Sequence, residues 1–290
     1  MTNPVATAIP GGYSINGGRW HEVHLRPLTG EDILFLAEEC AGLLPAQWVT
    51  EALTRCVTRL GPDEPVSREA IRCLTIGDRE ALLLHLHRLT WGNRLRCLLT
   101  CPAQKCREKL EADLDVADLL LPSYGETARE HELVVRQEDG VTGRVRFRLP
   151  TGADHEAAAM VARTDLDGAA DLLLRRCVRT VTFSDGNLVD NLPDGLGEQL
   201  SNRMAELDPQ AEITLRLVCP VCGAALSAIF DTASYLIQEL EAESRHLYRE
   251  VHLLAYHYHW GAMEILGMSI GKRRKFLRPL EEELTQGATQ

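Results

Sequence analysis

The chain has no surplus of positive charge. Lysine and arginine number 31 against 42 acidic residues, for a formal charge of −11. Such a field does not gather nucleic acid or an anionic membrane surface. There is no long uncharged apolar run and no secretory apolar region at the start, which argues against a membrane span and an oxidising destination. Nine cysteines is an odd number, so a disulfide framework is not expected, and the chain reads as made in a reducing cytoplasm. No phosphate-cradling glycine loop, serine elbow or zinc-hydrolase helix occurs. Nothing therefore points to an enzyme or to a small-molecule substrate. What is present is ordinary for a soluble globular protein: 45% apolar and 25% charged residues over 290 positions, enough for one large or two modest cores.

The strongest positive signal is a pair of cysteine knuckles, Cys101-Pro-Ala-Gln-Lys-Cys106 and Cys219-Pro-Val-Cys222-Gly223. Each ends one short apolar stretch and starts another. Leu95 to Thr100 leads into the first and Lys109 to Val116 leaves it; Ile213 to Val218 and Ala225 to Phe230 do the same for the second. An acidic residue and an apolar run of helical character follow each, so one β-knuckle-β-helix unit is used twice. Tetrahedral zinc takes four soft ligands, and two tight turns with two thiolates each supply them. The predicted ligands are Cys101, Cys106, Cys219 and Cys222, closing a structural Zn2+ site with no open position. Cys97, four residues before Cys101, competes as a ligand. A redox Cys-x-x-Cys is disfavoured, because the second pair leaves a strand into a hairpin and not a helix N-terminus, where the dipole would activate a thiol.

Along the chain the first twelve residues read as a disordered start, and Trp20 to Leu25 as a short strand. Thr29 caps a helix with Asp32 at its third position. A second helix runs from Pro45 to a stop at Gly61-Pro62, and a third covers about residues 78–90. Between the knuckles, Glu132 to Arg136 and Val141 to Leu149 form a hairpin around Glu138-Asp-Gly140. Thr151 and Asp154 then repeat the cap. Helices follow over about 156–162, 167–178 and 196–207, with a turn at Ser184 to Asn187, and a long one from Tyr235 to Tyr258. The expected fold is α+β and mainly helical, a zinc-ribbon-like pair of hairpins with an inserted hairpin and helices and helical ends. Its divisions fall at 1–92, 93–120, 121–210, 211–232 and 233–290.

Several weaker signals favour plain structural roles. His21 and His24 point to opposite faces of a strand. His85 and His87 lie on different faces of their helix. His252, His257 and His259 lack the spacing that stacks ligands on one helical face. The row Arg144, Arg146 and Arg148 suits a phosphate or an acidic partner, but pairing with Glu132 or Glu138 across the hairpin is favoured. Lys272 to Lys275 superficially suggests a helix-turn-helix reading head, yet Glu281 to Glu283 would repel DNA. A zinc-ribbon nucleic-acid binder thus remains the alternative to a protein-binding role.

Five blocks besides the knuckles carry a likeness: His24-Leu-Arg-Pro-Leu-Thr-Gly-Glu-Asp32, Ile76-Gly-Asp-Arg-Glu-Ala-Leu-Leu-Leu84, Phe147-Arg-Leu-Pro-Thr-Gly-Ala-Asp154, Tyr256-His-Tyr-His-Trp-Gly-Ala-Met-Glu-Ile-Leu266, and Lys272-Arg-Arg274. In this order, over residues 24–278, they resemble the baseplate hub assembly chaperones of contractile-tailed, T-even-type phages and related phage-derived injection systems. The resemblance implies a non-enzymatic factor for the baseplate or central hub. Its partners would be baseplate or hub proteins, met in the cytoplasm of the producing cell or in the assembled particle. The expected contact surface is the C-terminal segment, with Trp260, Met263, Ile265, Leu266 and Met268 as anchors, since Trp and Met are enriched in interface cores.

Overall fold

The computed structural model describes residues 3–15, 17–124, 128–136, 142–183 and 196–287. The turns expected at Glu138 to Gly140 and at Ser184 to Asn187 lie outside them. The fold is α+β, with helices around four small antiparallel sheets. Strands β1 (Val5–Ile15), β2 (Gly18–Leu25) and β3 (Val57–Leu60) form the first sheet, in that order. Helices α1 (Gly30–Leu34), continued by a π turn at Phe35–Glu39, and α2 (Pro45–Cys56) connect β2 to β3. After α3 (Arg68–Cys73) and α4 (Ile76–Thr90) comes the first knuckle hairpin, β4 (Arg94–Thr100) with β5 (Lys109–Asp115), then the one-turn α5 (Val116–Leu119). A second three-stranded sheet, β6 (His131–Arg136), β7 (Thr142–Phe147) and β8 (Val178–Phe183), encloses α6 (Gly152–Ala162) and α7 (Leu166–Cys177) in sequence. Helix α8 (Leu196–Leu207) leads to the second knuckle hairpin, β9 (Thr214–Val218) with β10 (Ala225–Ile229). The chain closes with α9 (Thr232–Tyr258), α10 (Ala262–Leu266) and α11 (Ile270–Gly287).

Three expectations are corrected. The stretch read as a disordered start is strand β1, paired with β2 from Val5↔Leu25 to Ile15↔Gly18. Its Gly11-Gly12 corner is fixed by a distant group: both amides donate to the buried Asp78 carboxylate, at 2.6 and 3.2 Å. The second helix stops at Cys56, and Val57 to Leu60 is an edge strand on β2. Likewise Val178 starts β8, so the inserted hairpin is a three-stranded sheet.

The repetition seen at the knuckles extends well beyond them. Arg26-Pro-Leu-Thr-Gly-Glu-Asp32 and Arg148-Leu-Pro-Thr-Gly-Ala-Asp154 build the same corner between a strand and a helix. In each, Thr29 or Thr151 and the following aspartate close a capping box, with aspartate oxygens accepting from the threonine amide at 2.9 Å and its hydroxyl at 2.8 Å. Arg26 then grips Asp32 in bidentate fashion at 2.5 and 3.1 Å, as Arg148 grips Asp154 at 2.5 and 2.9 Å. A second arginine completes each carboxylate, Arg55 on Asp32 and Arg176 on Asp154, both at 2.8 Å. Each comes from an Arg-Cys-Val sequence at the junction of helix and third strand. There Arg26 N–H meets the Cys56 carbonyl and Arg148 N–H the Cys177 carbonyl, both at 3.0 Å.

These corners act as sockets. Gly30 N–H donates to the Met268 carbonyl at 3.1 Å and Gly152 N–H to the Leu74 carbonyl at 3.0 Å. The incoming segments are themselves alike, Met268-Ser-Ile-Gly-Lys-Arg273 and Leu74-Thr-Ile-Gly-Asp-Arg79, and each forms a bridge, Thr29↔Ser269 and Thr75↔Thr151. A Cβ on Gly152 would collide with Arg79 Nη1 at 2.1 Å, and one on Gly30 would press tightly on Arg273 Nη1 and Leu266 at 3.1 Å. The first socket thus holds the C-terminal helices on the N-terminal core, where Leu36, Leu53, Leu82, Leu236 and Ile270 are buried together. The second ties α4 to α6.

Asp32 and Asp154 are 1% and 0% exposed. Burial alone would raise their carboxyls, but the arginine and threonine hydrogen bonds outweigh it and hold both below the ordinary carboxylate range. Removing the charge of a buried, multiply bonded carboxylate strands its arginines. Asp154→Asn and Asp32→Asn should each lower stability by about 3 kcal/mol, read as a fall in the urea midpoint. A depressed folded pKa contributes stability that is complete above the unfolded value, near 3.8, and is lost as pH falls through the folded one. Acid titrations followed by circular dichroism should therefore be shallower in either variant than in the parent.

Candidate metal centre and partner surface

The two knuckle hairpins present one face each to the other. In the first, Leu95, Cys97, Leu99 and Leu110 turn inward along the β4–β5 register; in the second, Leu215, Leu217 and Leu226 do so. Two-stranded ribbons are marginal by themselves, and here each supplies the other's missing layer. At the base, Leu84, Leu95, Val116, Ile213, Leu215 and Phe230 are packed together.

At the tips the sulfurs of Cys101, Cys106, Cys219 and Cys222 converge, all within 4.8 Å of one another. Cys101 Sγ stands 3.6 Å from Cys222 Sγ and Cys106 Sγ 3.9 Å from Cys219 Sγ. Four thiolates at about 2.3 Å from a tetrahedral zinc would lie about 3.8 Å apart. A disulfide would need about 2.05 Å, so the spacing suits an ion and not a cystine. Leu99, Leu110, Leu217 and Leu226 wall the cluster. Cys97 is excluded: it packs beside the apolar base of the ribbons and does not join the four sulfurs.

Backbone geometry shapes both knuckles for anions. Cys219 N–H donates to the Ala224 carbonyl and Gly223 N–H to the Cys219 carbonyl, both at 2.9 Å. The amides of Cys222 and Val221 point at the Cys219 sulfur and lower its thiol to about 7. At Cys101 an amide from Ala103 pulls the same way, but desolvation and the other three sulfurs prevail and push it up to about 12. A divalent cation at the cluster would deprotonate the coordinating thiols. Gly223 follows the second knuckle with φ 72°, and Arg107 occupies the corresponding position of the first with φ 52°. That left-handed conformation costs a side-chain-bearing residue about 1–2 kcal/mol.

The remaining sequence signals resolve into structure. His21 Nδ1 sits 2.9 Å from the Ile9 carbonyl and His24 Nε2 3.0 Å from Glu22. His85 and His87 are buried, while His252, His257 and His259 are exposed and form no metal-ligand group. The arginine row is paired: Arg144 with Glu132 at 3.6 Å, Arg146 with Glu130 at 2.6 Å, and Arg148 in the socket. Arg273, at the heart of the basic run, is wholly buried against Glu250 at 2.8 Å and Glu243 at 3.4 Å.

Among the five expected anchors the structure separates inside from outside. Ile265 is buried with Leu254 and Leu277, Leu266 packs on the N-terminal core, and Met268 is half-buried beside the first socket. Ile265 is thereby closed to a partner, while Leu266 and Met268 keep part of their surface exposed. Trp260 is half-buried, stacked on Tyr258 and edge-on to Phe276, each at 4.8 Å between ring centres. Met263 stands out at 68% exposure, and Tyr256, which was not among the expected anchors, at 69%.

Among the described residues, no helix is long and apolar enough to cross a membrane. A family model described as T4 bacteriophage base plate protein matches residues 13–236. The chain belongs to that family. No curated protein and no solved structure matches it.

Metal analysis of untagged protein should find about one zinc per chain, and a chelator should lower the melting temperature. Cys222→Ser should lose both the metal and that response. Arg107→Gly, relieving the left-handed residue, should raise stability by about 1 kcal/mol without changing metal content.

Proposed function

We propose that this protein is an assembly factor, a chaperone or minor component, for the baseplate or central hub of a contractile tail or phage-derived injection machine. It acts by binding other tail proteins in the producing cell, and it is not an enzyme. Membership of the base plate family carries this reading. The form of the four-sulfur cluster supports it: a set of four thiolates leaves no coordination position for substrate, so its zinc is structural. The nucleic-acid alternative is weakened, because Arg144, Arg146, Arg148 and Arg273 pair with acidic partners within the chain.

The contact surface lies at the end of α9 and on α10, where Met263, Tyr256 and the outer face of Trp260 are presented beside one another in sequence. Residues 237–290 lie beyond the family match, which fits a segment that adapts a shared scaffold to a particular partner.

A pull-down from cells producing the particle should recover baseplate or hub proteins. Met263→Ala together with Tyr256→Ala should weaken recovery by about tenfold or more while leaving the melting temperature unchanged. A deletion strain that still builds complete, contractile tails would refute the assembly role. Protein found bound to DNA or RNA at low salt would revive the alternative.

A further inference from the structure

Helix α9 has two long faces that the fold treats in opposite ways. Leu236, Leu240, Leu247 and Leu254 fall on one side and are buried. Arg245, Arg249, His252 and Tyr256 follow one another at spacings of four, three and four, which places them together on the other side, and all are exposed. His252 and Tyr256 lie against each other, with 6.2 Å between ring centres and 24° between planes. The stripe therefore runs from two guanidinium groups at mid-helix to an aromatic pair near the helix end.

The charge of this stripe is not balanced from within the chain. From Arg245 to Arg278 there are seven lysines and arginines against two glutamates, in a protein whose total is −11. The nearby carboxylates are occupied elsewhere. Glu250 and Glu243 lie on the inner side of α9 and hold the buried Arg273, at 2.8 and 3.4 Å, and Glu243 also accepts from Arg274 at 2.9 Å. Glu264 accepts from the Gly261 amide at the start of α10, at 3.0 Å. Glu38, from the N-terminal core, accepts from the Tyr248 hydroxyl at 2.6 Å on the flank of the stripe. Glu241, exposed one turn before Arg245, does not pair with it, and among the described residues neither Arg245 nor Arg249 forms an ion pair.

We propose that the stripe docks an acidic segment of another tail protein, with two carboxylates one helical turn apart and an apolar side chain beyond them. This rests on the reading of the chain as an assembly factor whose contact surface lies at the end of α9, and it supplies the chemistry of the partner. At 1.5 Å per residue, Arg245 and Arg249 stand about 6 Å apart along the axis, and Tyr256 about 10 Å beyond Arg249. A segment with carboxylates at one end and an apolar residue at the other meets this pattern in one direction only, since the reverse sets carboxylates on aromatic rings. Complementary charge supplies orientation and encounter rate more than affinity, which falls to the aromatic end. The acidic remainder of the protein does not prevent this, because exposed charges more than about 8 Å away are largely screened at physiological salt.

The test uses the full-length, metal-loaded chain as bait in nuclease-treated lysate of cells producing the particle. The parent should recover baseplate or hub proteins, and Arg245→Glu with Arg249→Glu should recover about tenfold less, with melting temperature and zinc content unchanged. The same reversal at Arg163, exposed just after α6, should leave recovery as it was. Arg249→Lys should still bind, and a zero-length carbodiimide should then couple position 249 to an aspartate or glutamate of the recovered protein, located by mass spectrometry. Equal recovery by the parent and the double reversal, or binding by Arg249→Lys without that coupling, would overturn the acidic partner and leave the assembly role intact. Tail proteins recovered only when nuclease is omitted would assign the stripe to nucleic acid and overturn it too. A parent that recovers no tail protein under either condition would refute the assembly role, and this inference with it.

Discussion

Two ionised aspartates in the interior set the terms for this fold. A carboxylate removed from water costs several kcal/mol unless hydrogen bonds replace the lost hydration, and Asp32 and Asp154 recover them from three directions at once. The threonine comes from the loop, one arginine from the preceding strand, and the other from the end of a later helix. Only one arrangement of strand, helix and returning strand satisfies all three. The corner is therefore fixed before anything packs on it, and its glycine amide is aimed at the carbonyl of a segment from elsewhere. The position of the C-terminal helices on the N-terminal core follows from that, because their first docking bond is Gly30 to Met268.

How much of this was legible depended on the sequence distance between cause and effect. The capping pairs, three residues apart, could be read directly, and so could the knuckles, whose spacing carries the ligand chemistry within a few residues. The arginines that complete Asp32 and Asp154 are 23 and 22 positions away and no local rule links them. Strand β1 was hidden for the same reason: Gly11-Gly12 looks like loop material until Asp78, 67 and 66 positions on, supplies the acceptor. Strands β3 and β8 were concealed by ambiguity instead. Val57 and Leu60 continue the spacing of Leu53 and Cys56, so a helix period and a short buried strand fit the same letters, and pairing with β2 decides. The expected anchors carry a related ambiguity, since Ile265 and Leu266 are as apolar as an interface requires and also seat α10 on the chain itself.

The sockets and the sulfur cluster divide the work of holding distant segments together. A socket joins pieces already rich in core contacts and mainly sets their angle. The knuckle ribbons have little core of their own, because Leu99, Leu110, Leu217 and Leu226 form only a thin layer between them. A metal at their tips supplies there what a larger apolar layer supplies elsewhere, and metal binding in such a site is folding free energy. The two ribbons also lead directly into α5 and α9, so fixing the tips fixes the start of the helix whose far end carries the exposed Tyr256, with Met263 on α10, the next helix. An ion held by the four sulfurs would thereby bear on the orientation of a surface well away from it, along a 27-residue helix. On the proposed role, in which that surface meets another tail protein, holding it still would lower the ordering cost of binding.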